Sequence, residues 1–184
     1  MKTLLLPIFS LLAVTYAFDI FRDFEPKYNR DNWPHWNKNI SGCKNLRHFL
    51  LERTSLVPVS YHTEKKCRVK GGKWYGAYTN DFYYYSSQLD IDHIVPLAWA
   101  AARGAINWSK KKKREFANDI DNLIPVSKFE NRKKGANGFE VYLPPNKEFH
   151  CVYIMKFHEI ASKYKLTYTN NEITFLKKNK EVCI

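Results

Sequence analysis

A chain of 184 residues, 45% hydrophobic and 16% aromatic, has the length for one cored domain and the composition to exclude a disordered tail. Its 30 Lys and Arg against 18 Asp and Glu give a formal charge of +12, which favours a polyanionic partner: nucleic acid, anionic lipid or acidic glycan. Past the N-terminus no segment is apolar enough to span a membrane.

The chain opens "MKTLLLPIFSLLAVTYAFDIF". Lys2, an apolar stretch over 4–14 and the small-x-small Thr15-Tyr16-Ala17 read as a secretory signal peptide over 1–17, cleaved after Ala17. Residues 18–184 then form a single domain. Four cysteines follow: Cys43, Cys67, Cys151 and Cys183. An even count in a secreted chain points to two disulfides, and sequence proximity favours Cys43–Cys67 and Cys151–Cys183 among the three pairings. No two cysteines have the close spacing of a zinc knuckle. Asn39 and Asn107 head glycosylation tripeptides.

The segment up to Ser41 is polar and aromatic and reads as irregular. "CKNLRHFLLERTSL" (43–56) reads as a short amphipathic helix, "VPVSYHT" (57–63) as a strand, and "CRVKGGKWYGAYTNDFYYY" (67–85) as a hairpin turning at Gly71-Gly72. Tyr83, Tyr84 and Tyr85 read as sheet packing rather than base stacking. "LDIDHIVPL" (89–97) is a strand ending near Pro96, with Leu89, Ile91, Ile94 and Val95 as core anchors. Residues 98–119 are helical with a break at Gly104, and 122–126 is a short strand. "SKFENRKKG" is a helix with Ser127 as N-cap, Glu130 three residues on, and a stop at Gly135. A helix over 149–166 and a short one after Thr169 complete the order. The lysine run at 109–115 suits either a solvated face or a phosphate track. His35, His48, His62, His150 and His158 read as structural or exposed.

One pair stands out. Asp92 and His93 sit side by side in an apolar strand. Phosphodiester cleavage needs an activated water, a cation on the reacting phosphate and a stabilised leaving oxygen, and a divalent ion supplies the last two. Carboxylate and amide oxygens suit magnesium or manganese, and a neutral imidazole accepts a proton near neutral pH. Neighbours on a regular strand point to opposite faces, so a shared site requires a bend at 92–93.

The motifs "DIDHIVPLA" (90–98), "GA" then "W" (104–108), "FAND" (116–119), "NLIPV" (122–126), "NRKKG" (131–135) and "LPP" (143–145) resemble, in order and spacing, the secreted HNH endonucleases and the C-terminal part of GmrSD-type restriction enzymes. "GCKNLR" (42–47), "SLVPVS" (55–60) and "CRVKGGKWYGAYT" (67–79) extend the likeness upstream. The resemblance implies an α+β fold with a ββα-metal (HNH) core at about 89–136, extra helices and a short N-terminal β-hairpin. It implies one divalent ion, magnesium or manganese, held by Asp92 and Asn131, with His93 as general base and Asn122 ordering the loop that presents it. Asp119 would support the site from behind; Arg132 and Lys134 would meet substrate phosphates. Trp99, Ala101 and Tyr142 depart from the family pattern. The function implied is a secreted endonuclease with little sequence specificity, acting on DNA foremost and RNA as an alternative, and leaving 5′-phosphates; the oligomeric state stays open, with a monomer favoured. The alternatives are a secreted basic protein that binds nucleic acid or acidic glycan without cutting, and a toxin-type nuclease.

Overall fold

The computed structural model describes residues 27–38 and 40–183, so the signal peptide and Asn39 lie outside the described residues. After an irregular start, helix α1 (Leu46–Thr54) begins where the Asn45 side chain accepts the His48 N–H at 3.1 Å. Leu46, Leu50 and Leu51 form its buried stripe. Three antiparallel strands follow: β1 (Ser60–Tyr61), β2 (Val69–Gly76) and β3 (Asp81–Tyr85). The expected strand over 57–63 shrinks to two residues, and Pro58 just before it has no N–H to give a ladder.

The expected turn is also displaced. Gly71 and Gly72 lie inside β2 at a bulge, where the register with β3 shifts between Gly71 and Trp74. A Cβ on Gly72 would come within 2.6 Å of Ser55 Oγ and 2.8 Å of the Trp74 ring, so the site admits only glycine. The reversal falls at 77–80 instead, closed by Asn80 at φ +62°.

Strands β4 (Leu89–His93) and β5 (Leu123–Ser127) form a separate antiparallel pair, in register from Leu89↔Ser127 to His93↔Leu123. Pro125 sits within β5 without penalty, because in a two-stranded sheet each strand has a free edge. Between them lie α2 (Leu97–Ala102), a reversal at Gly104 (φ +101°) and α3 (Lys110–Ala117), with Ser109 as its cap. Helix α4 (Lys128–Lys134) follows β5 directly; Ser127 Oγ accepts the Glu130 N–H at 3.1 Å and Gly135 ends it at φ +55°. The Glu130 carboxylate does not return to the cap but accepts from the Tyr142 hydroxyl at 2.8 Å.

Helices α5 (His150–Lys163) and α6 (Asn170–Cys183) close the described chain; α6 is fuller than the short helix expected. Its capping box is complete: Glu172 N–H donates to Thr169 Oγ1 and Thr169 N–H to Glu172 Oε2. Glu172 also accepts from Trp99 and Arg103, fastening α6 to α2. Both disulfides pair as expected, with Cα separations of 5.1 Å for Cys43–Cys67 and 5.3 Å for Cys151–Cys183.

Two apolar clusters hold these elements. The larger includes Tyr78, Val95, Trp99, Phe116, Phe139 and Phe157; the smaller includes Leu51, Val69, Trp74, Leu89, Ile91 and Leu123. Strand β4 passes between them. Leu89 and Ile91 enter the smaller cluster, and past the strand end Ile94 and Val95 enter the larger. The architecture is mixed α and β with small antiparallel sheets.

Candidate functional site

Strand alternation puts Asp90 and Asp92 on one face of β4 and His93 on the other. The pairing stays regular through Asp92↔Ile124 and His93↔Leu123, so the expected bend at 92–93 is absent. Asp92 and His93 therefore look away from each other.

Helix α4 covers the Asp90–Asp92 face. Three residues apart on that helix, Asn131 and Lys134 share a side. Asn131 Nδ2 lies 3.0 Å from Asp90 Oδ2. Lys134 Nζ donates to Asp92 Oδ1 at 3.0 Å and to the His93 carbonyl at 2.7 Å, and stands 2.9 Å from Asp92 Oδ2. Tyr78 donates its hydroxyl to Asp92 Oδ2 at 2.9 Å. Lys134, expected at a substrate phosphate, is thus wholly buried as the counter-charge of Asp92. Burial pushes Asp92 up and Lys134 down, and each opposes that shift in the other. Arg132, on the outer side of α4, is exposed.

His93 Nε2 lies 2.9 Å from the Ala117 carbonyl. A carbonyl can only accept, so Nε2 carries the proton and Nδ1 the lone pair. Burial drops the imidazole to about 3, and it stays neutral at ordinary pH. The Trp36 ring, at φ +56° in the irregular N-terminal stretch, lies over it with centroids 6.1 Å apart.

Asn122 is fully buried: its Oδ1 accepts the Val95 N–H at 2.8 Å and its Nδ2 donates to the Val95 carbonyl at 3.2 Å. It fixes the chain just after His93. Asp119 acts one step further out. Its backbone carbonyl accepts the Asn122 N–H, while its carboxylate accepts from Tyr164 and pairs with Lys163, each at 2.8 Å. Of the other histidines, His35 lies nearby, bonded to the Trp33 carbonyl and packed on Trp36; His48 and His150 bond to main chain elsewhere, His158 to Tyr168, and His62 is exposed.

Among the described residues no three His, Cys, Asp or Glu side chains converge as a metal cluster. The oxygen donors open to a cation are Asp90 and Asn131. The two meet through a hydrogen bond from Asn131 Nδ2 to Asp90 Oδ2, so together they would hold a cation only after a half-turn of the amide brings its oxygen forward. Asp92 is already neutralised. Sequence reading missed Asp90, although its place two residues before Asp92 put it on the same face. It also missed Tyr78 and Trp36, which no local pattern signals. Of the lysine run, Lys110 and Lys111 are exposed, whereas Lys112 lies over Trp108 and Lys113 donates to the Ile106 carbonyl.

Residues 43–178 match the family model of the C-terminal domain of GmrSD restriction endonucleases, and the chain belongs to that family. A family of restriction endonuclease domains points to a nuclease-related role. An uncharacterized secreted protein of Arthroderma benhamiae is 34% identical over 158 residues, covering 85% of this chain and 76% of that relative. No solved structure matches. Among the described residues no helix is long and apolar enough to cross a membrane.

Proposed function

We propose that this is a secreted, metal-dependent endonuclease of the HNH type, hydrolysing phosphodiester bonds of DNA, and of RNA where it meets it, with little sequence specificity. The observation that carries the reading is the approach of Asn131 on α4 to Asp90 on β4, the strand that ends in His93. Two antiparallel strands followed at once by a helix bearing that asparagine support a ββα-metal core.

Asp90 and Asn131 would hold one magnesium or manganese ion. Bound there, the ion would offset the charge of the scissile phosphate and of the departing 3′ oxygen. The remaining work falls to the chain's own groups. The Ala117 carbonyl fixes the His93 tautomer and leaves Nδ1 as the nitrogen able to take a proton; because His93 lies on the opposite face of β4 from Asp90 and Asn131, it would serve the same phosphate only with the strand end at 92–93 turned toward that face. Asn122 holds the backbone beyond it still. Lys134 cancels the charge of Asp92, so Asp92 tethers the helix to the strand. Arg132 faces outward, where a phosphate can meet it.

Incubating the protein with plasmid and magnesium or manganese, with and without chelator, tests this. Wild type nicks the plasmid only with metal, and His93→Ala loses about 10²–10⁴-fold in rate. An uncut plasmid under every metal overturns the enzyme reading; full activity in His93→Ala overturns the base assignment. A second reading, a basic protein that binds nucleic acid or acidic glycan without cutting, draws support from Lys134 on Asp92 and Trp36 over His93.

A further inference from the structure

One face of the three-stranded sheet packs inward through Val69 and Trp74; among the described residues the other is largely uncovered, with Asn146 Nδ2 reaching the Tyr75 hydroxyl at its edge. On this outer face Tyr75 pairs across the strands with Phe82, rings 5.7 Å apart, and Lys73 Nζ stands 4.5 Å from the Phe82 centroid. Tyr84, two residues beyond Phe82, shares that face. Tyr75, Phe82 and Tyr84 are 41%, 48% and 53% exposed, and Tyr85 at the edge is 58% exposed. Sheet packing, expected for Tyr84 and Tyr85, does not explain rings left in water.

The ligand that fits has flat apolar faces and negative charge. Lys70 and Lys73 supply cations on a chain of net +12, against the single acid of β3, Asp81, at its start. Unpaired bases on a phosphodiester strand offer both features. In a duplex the base faces are already stacked and only edges show. The face is also tied to the candidate site. Strand β3 runs through 86–88 into β4, and Arg47 clamps that joint by donating to the Ser86 and Leu89 carbonyls. Tyr84 and Asp90 are six positions apart, at most about 21 Å of extended chain.

We infer that this face is a stacking platform for single-stranded nucleic acid, guiding an unpaired strand toward Asp90 and Asn131. Its purpose rests on the nuclease reading; its test does not. The test is binding of the full chain, in chelator, to a labelled oligothymidylate. The competitors are the same oligomer without bases, a duplex of equal length and a heparin fragment. The single strand binds more tightly than the duplex or the abasic strand. Phe82→Ala and Tyr84→Ala each weaken it by about fivefold or more, while Tyr84→Phe preserves it. Both alanine changes fall on exposed rings, and unchanged melting confirms folding. Equal binding of the abasic strand, or alanine variants with wild-type affinity, overturns the platform. So does heparin binding that falls with the same variants, which makes the face a glycan site. Tight stacking without metal-dependent cutting upholds the platform and removes the nuclease.

Discussion

Asp92 has an ammonium on one side, a phenol hydroxyl on the other, and almost no contact with solvent. Asparagine there strands the Lys134 charge. Breaking a buried pair in this way costs about 3–5 kcal/mol. Asp92→Asn should therefore lower the melting temperature by roughly 10 °C, at about 2–4 °C per kcal/mol in a chain of this size, and Asp92→Asn with Lys134→Met should recover most of it. Asp90→Asn should melt like wild type and need about tenfold or more magnesium for half-maximal nicking. The reverse assignment, with metal demand moving in Asp92→Asn alone, would make Asp92 the ligand. Sequence reading found Asp92, Asn122 and Asn131 but missed Asp90. Strand parity alone would have placed Asp90 beside Asp92. The burial of Lys134 was hidden, because a lysine in a basic helix reads as solvated until the opposite strand is seen.

The N-terminal segment is the element that sequence reading described least. It has no hydrophobic period, yet it is firmly seated. Trp33 is buried against Trp108 and Phe116, Asn118 accepts from the Asn37 N–H and donates to the Pro34 carbonyl, each at 2.8 Å, and the strap so formed lays Trp36 over His93. If that ring limits access to the imidazole, Trp36→Ala should raise the nicking rate by up to about tenfold, ~1.4 kcal/mol of barrier. It should also speed carbethoxylation of His93, a readout independent of turnover. Unchanged rates in both would show that water reaches His93 by another path. The helix after β5 was the most legible, because its ends carry local chemistry: Ser127 caps and Gly135 stops, and the structure adds Asn45 and Ser109 as caps of the same kind. The Gly-Gly pair was misread as a turn because glycine marks close approach as readily as reversal.

Across the whole molecule the two apolar clusters meet at β4, and each disulfide lies to one side of it. Cys43–Cys67 joins the segment before α1 to the approach to β2; Cys151–Cys183 joins α5 to α6. The second spans 32 residues, for which loop entropy predicts about 3.7 kcal/mol of stabilisation. Cys151→Ala with Cys183→Ala should therefore lower urea stability by about that amount, with nicking at room temperature retained, since β4, β5 and α4 lie outside the loop. Loss of nicking at a temperature where the variant is folded would tie α6 to the site. Both pairings were readable from sequence proximity; the two-cluster layout was not, since it depends on which strand face each aromatic takes.

Val69 and Trp74 both point into the smaller cluster, although five residues apart, an interval that should send them to opposite sides of an even strand. The bulge at Gly71-Gly72 absorbs the odd residue. It acts as a phase shifter, turning the second half of β2 over relative to the first. Straighten the bulge at unchanged length and the strand keeps one phase throughout, so that Trp74 swings into water while Lys73 and Tyr75 are driven inward; remove one glycine and the interval falls to four, which keeps Trp74 on the Val69 face of a regular strand. The bulge, by accommodating one extra residue, thus decides both what fills the core on one side of the sheet and which rings stand ready for a ligand on the other.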